Sequence, residues 1–67
     1  MCLSTVYVEK KGKRTVVMEE AAQMRVKDDW IEISQLLGET KRLEGYQIEA
    51  IDFLNHFVVL KLREAGK

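Results

Sequence analysis

Sixty-seven residues, 46% hydrophobic and 33% charged, describe one small domain near the lower size limit for a self-sufficient core. The 11 basic and 11 acidic residues cancel to a formal net charge of zero, which argues against the basic footprint of a dedicated nucleic-acid binder. The single cysteine excludes a disulfide within the chain, so either the core packs well or a second chain supplies apolar surface. An isologous homodimer is the simplest such arrangement, because one patch serves both partners. No apolar run approaches the roughly 20 residues that span a bilayer, and the start lacks the basic and apolar regions of a secretory signal. With its lone free thiol the chain reads as cytoplasmic.

The chain has no proline and no low-complexity linker, and its pattern is a succession of short β segments. Residues 2–9 alternate as a first strand, with Cys2, Ser4, Val6 and Val8 on one face and Leu3, Thr5, Tyr7 and Glu9 on the other. Lys10-Lys11-Gly12-Lys13 reads as a solvated hairpin turn, with Gly12 free to take positive φ. Residues 14–18 form a second strand, and Glu19-Glu20-Ala21-Ala22 is expected to bend the chain before a third over residues 23–27. There Met24 and Val26 point inward. Asp28-Asp29 marks a turn into a strand over residues 30–34, with Ile31 and Ile33 on one face and Trp30 on the other, as a rim residue or interface anchor.

Residues 36–40 make the next turn, and residues 41–43 a short return strand ending at a kink or bulge on Gly45. From Tyr46 to Phe53 the alternation is imperfect: Ile51 and Phe53 fall out of phase with Ile48, which calls for a bulge or a second buried face. Residues 54–56 turn the chain into the most apolar strand, residues 57–62, followed by a polar tail. Six or seven short antiparallel strands at such close spacing predict a small all-β barrel of SH3-like or Sm-like type.

Groups able to do chemistry are few. Glu19-Glu20 and Asp28-Asp29 are neighbours in sequence, so on a strand their side chains diverge, and no glycine spacing forms a phosphate loop. His56, the single histidine, sits at an expected turn and has no spacing relation to the cysteine. Nothing in the pattern indicates an enzyme. Cys2 has two readings. It is a small hydrophobe opening a strand, the usual fate of a lone cysteine. Alternatively, it is a ligand whose thiolate joins an adjacent amine, or a deprotonated amide nitrogen, in a chelate suited to nickel(II) or copper(II). Trimming of Met1 would supply the amine.

The start Met1-Cys2-Leu3-Ser4-Thr5-Val6-Tyr7 resembles that of the CooT-type small nickel-binding proteins. The likeness continues through residues 26–33, Leu36-Leu37-Gly38-Glu39, Ile51-Asp52 and the apolar strand from Phe57 to Leu60. Only the Met-Cys start is chemically specific. The resemblance implies a homodimer of small β-barrels that binds nickel(II) through Cys2 at the dimer interface and acts in nickel supply to carbon monoxide dehydrogenase. The same family has been labelled RNA-binding on its Sm-like shape, a reading for which Lys10, Lys11, Lys13 and Arg14 form the one local cluster. One cysteine per chain leaves a four-coordinate site unfilled. Two chains, each giving a thiolate and a nitrogen, would complete it.

Overall fold

The computed structural model describes residues 3–64 and is all-β. Six strands occur among these residues: β1 (Ser4–Lys10), β2 (Lys13–Val26), β3 (Trp30–Gln35), β4 (Thr40–Glu44), β5 (Tyr46–Asp52) and β6 (Phe57–Leu62). They form one sheet in the order β4-β3-β2-β1-β6-β5, curled into a half-barrel.

Local chemistry sets the turns. Lys11 (φ 52°) and Gly12 (φ 78°) both adopt the left-handed region, as a two-residue type I′ hairpin requires, so Lys10 pairs directly with Lys13. After β3, Gln35 secures the loop with its side chain: its Oε1 accepts from the Glu39 amide at 2.9 Å and its Nε2 donates to the Glu19 carbonyl at 2.9 Å. The β5–β6 turn is closed by Asp52, whose carboxylate accepts from the Asn55 backbone amide (2.7 Å) and side-chain amide (3.1 Å).

Two expectations are corrected. Residues 14–18 and 23–27 are not separate strands but the two arms of β2, which runs unbroken for 14 residues. The bend at residues 19–22 is a bulge: Glu20 takes φ 57°, and the register shifts there against both β1 and β3. One arm pairs with β1 and the other with β3, so a single strand carries the curl of the sheet. The second correction concerns direction. β1 and β6 run parallel, from Thr5 opposite Phe57 to Glu9 opposite Lys61, while the other pairings are antiparallel. The imperfect alternation after Tyr46 is a β-bulge between Ile48 and Ala50.

The concave face carries the core. Val6, Val8, Met18, Ala21, Ile31, Ile33 and Leu60 pack together there, with Met24, Leu43, Tyr46 and Val58 against them. Burying one such aliphatic side chain is worth about 1.5–3 kcal/mol, so these few supply most of the hydrophobic stabilisation. The convex face is pinned by aromatic contacts. Tyr7 and Phe57 meet edge-to-face at 5.7 Å, and the Arg14 guanidinium lies 5.7 Å from the Phe57 ring centre. Trp30 is half-buried under the Arg42 guanidinium at 4.0 Å.

The half-barrel is fastened at one end only. β4 and β5 are the sheet's edges, separated in sequence by Gly45 alone. Gly45 donates its amide to the Asp29 carbonyl (3.1 Å) and accepts from the Arg63 amide (2.8 Å), joining both edges at that point. From there the sheet opens. Ile48 and Ile51 on β5 face Met24 and Val26 on the far arm of β2 across an apolar groove of about 340 Å³.

Candidate functional site at the start of the first strand

Cys2, the residue on which the sequence places metal binding, lies outside the described residues. What the structure does define is the position from which the chain continues towards it. β1 is a central strand, flanked by β2 and β6, so its first residue is fixed from both sides. Ser4 pairs with Ala21 at the β2 bulge, and the Thr5 amide donates to the His56 carbonyl at 3.1 Å. Ser4 and His56 both line the apolar groove, as does Asp52.

This places the single histidine beside the start of β1, a proximity that sequence spacing gave no hint of. The cause is the parallel β1–β6 pair, which brings the β5–β6 turn alongside the beginning of β1. His56 itself is exposed and adopts φ 61°, a strained conformation for a non-glycine residue. Only a locally helpful turn tolerates it. Asp52 is held below the ordinary carboxylate value of 3.8, first by the Asn55 backbone amide and next by the Asn55 side chain. It stays a hydrogen-bonded anion that organises the turn.

Elsewhere the charged groups are spent on surface pairs. Lys61 bonds Glu49 at 3.1 Å, and that bond, with the charge of Glu49, raises the Lys61 ammonium above its usual range. Arg25 and Arg42 flank Glu32 at 4.0 and 3.9 Å. No group of three or more His, Cys, Asp or Glu placed to hold a metal occurs among the described residues. Nor does any buried side-chain polar atom among them lack a partner. No helix of the described residues is long and apolar enough to cross a membrane.

Fold and site together define a class: a small β half-barrel whose candidate site lies by the start of its central strand β1. The family model of the CO dehydrogenase accessory protein CooT matches residues 1–61. The chain belongs to the CooT family. Its fold is that of the crystal structure of the protein assigned as CooT in Carboxydothermus hydrogenoformans, with a TM-score of 0.81 at 16% identity over 94% of this chain and 98% of that one. No curated protein matches the chain.

Proposed function

We propose that this protein is a non-enzymatic nickel(II)-binding protein, a nickel chaperone or sensor for carbon monoxide dehydrogenase maturation. Nickel is held through Cys2 at the interface of a homodimer in the cytoplasm. The observation that carries the reading is membership of the CO dehydrogenase accessory family across a match that includes Cys2. The structure supports it in one respect. Cys2 stands two residues before Ser4, the first residue of a strand paired on both sides, so any ligand there is within about 7 Å of β1.

The donor chemistry follows from the residue. A thiolate with an amine or ionised amide nitrogen favours nickel(II) or copper(II) in a plane, and a second chain doubles the set to four. Because the thiol must ionise, affinity falls as pH drops. The measurement is calorimetric titration of nickel into reduced protein and into Cys2→Ser. The expected result is loss of stoichiometric binding in the variant with an unchanged circular dichroism spectrum; undiminished affinity would end the proposal. The basic hairpin adds little to an RNA-binding reading, because Arg14 is committed to Glu9 and Phe57.

A further inference from the structure

We infer that the β3–β4 loop, residues 36–39, is the surface by which this protein docks on the enzyme it serves. Its occupant is an apolar recess rimmed by basic side chains on nickel-free CO dehydrogenase. The inference rests on the accessory role of the preceding section and names the surface that role would use. Leu36 and Leu37 stand side by side in the loop and are 65% and 96% exposed. Neither belongs to the core cluster, and neither lines the apolar groove. Two neighbouring leucines held in water in this way do nothing for the fold and read as contact residues.

The loop is built to hold them still. The Gln35 backbone amide donates to the Glu39 carbonyl at 2.9 Å. The Gln35 side chain accepts from the Glu39 amide and donates to the Glu19 carbonyl, both at 2.9 Å. Gly38 lies against that side chain, and a Cβ there would collide with Gln35 Oε1 and push it off its partner. A braced loop has little freedom left to lose on binding, so the contact made by its leucines is not offset by an ordering cost.

Charge selects the occupant. Glu19 and Glu20 at the β2 bulge and Glu39 in the loop are exposed, and none of the three has an ion-pair partner among the described residues. Gln35 bonds the backbone of both Glu19 and Glu39, which sets these acidic positions beside the same loop. The adjacent cation, Lys41, is turned back onto the Val17 carbonyl at 2.9 Å. An apolar tip with uncompensated negative charge around it fits a basic rim. The same charge repels the same loop of another copy, and a nucleic-acid backbone. The position also suits a metal donor. Gln35 pairs with Ala21, and Ala21 pairs with Ser4, so the loop leaves the sheet about 10 Å, two strand spacings, from the start of β1.

The test is binding of the full chain to immobilised nickel-free CO dehydrogenase of the same organism, read by biolayer interferometry at low and high salt. The variants are Leu36→Ser, Leu37→Ser, the pair Glu19→Lys with Glu39→Lys, and Leu62→Ser. Leu62, 49% exposed at the end of β6, is the control for a lost surface leucine elsewhere. A circular dichroism spectrum, a nickel titration and a sedimentation mass accompany each variant. Wild type and Leu62→Ser are expected to bind alike, and each loop-leucine variant roughly tenfold more weakly or worse. The double charge reversal is expected to bind more weakly and to lose the salt dependence of the wild type. Spectrum, nickel stoichiometry and mass are expected to stay those of the wild type throughout. Wild-type affinity in both loop-leucine variants, or a wild type that does not bind the enzyme, overturns the inference. A changed mass in the loop-leucine variants also overturns it, because the loop would then serve self-association. A wild type that docks through the loop yet takes up no nickel refutes the metal reading alone and leaves the docking surface standing.

Discussion

Gly45 offers a sharp test of how the half-barrel is held. It occupies φ 80°, and a Cβ built on it would meet nothing within 4 Å. Substitution by alanine therefore introduces backbone strain with no steric clash. Left-handed geometry costs an L-residue roughly 1–2 kcal/mol, and the stiffer unfolded chain returns about 0.4–1 kcal/mol. The expected net loss is about 1 kcal/mol, or roughly a 4–8 °C fall in Tm for a domain of this size. Gly12 is the matched control, at φ 78° and equally open, but it lies in a hairpin tip that joins no edges. Thermal unfolding of Gly45→Ala, Gly45→Asn and Gly12→Ala at one protein concentration would measure this. Equal modest losses for the two alanines, with partial recovery by asparagine, fit a purely conformational role. No loss at Gly45, or a loss several-fold above that at Gly12, would refute the reasoning; the second result would mean that the Asp29 and Arg63 hydrogen bonds fail with the turn.

 In wild type those bonds run from the Gly45 amide to Asp29 and from the Arg63 amide to Gly45.

Further outcomes follow from the same geometry. Ile33 is fully buried in the centre of β3, so Ile33→Val should cost about 0.5–1.5 kcal/mol and Ile33→Ala about 2–5, measured by urea unfolding. His56→Gly relieves a positive φ while keeping the carbonyl that receives the Thr5 amide. It should raise Tm slightly and leave nickel stoichiometry intact; lost nickel would make the imidazole a ligand. Asp52 has a folded value below its unfolded one, so its contribution to stability is present above about pH 4 and is lost as pH falls through the lower folded value. Asp52→Asn should therefore flatten the acid limb of the stability curve, and an unchanged limb would show that the turn's hydrogen bonds do not depend on the charge.

Much of the strand layout was legible because each element carries its own signal. Gly12 marks the first hairpin, Asp28-Asp29 the second, and Ile31 with Ile33 the buried face of β3. The out-of-phase Ile51 reported the β5 bulge directly. The continuity of β2 was hidden because Glu19-Glu20 has the composition of a turn, yet the strand runs through it and only Glu20 in β2 takes a positive φ. The parallel β1–β6 pair was hidden for a different reason: alternation gives the faces of a strand and says nothing about its neighbours. That gap concealed the proximity of His56 to the start of β1. Conversely, the metal reading at Cys2 came from residue chemistry and resemblance, and it lies outside the described residues.

The pairing of β1 with β6 has a consequence for how the molecule is made. Among the described strands, β1 needs as its neighbour β6, which follows it by four further strands, with Val6 set against Val58. Hairpins β1–β2 and β3–β4 can form as they emerge, but the central seam of the sheet waits for nearly the whole chain. Contacts so distant in sequence make folding slow for the domain's size. During that interval Val6 and Val8 are without the Val58 and Leu60 that later flank them, so the folding chain exposes apolar strand surface before it is a finished half-barrel.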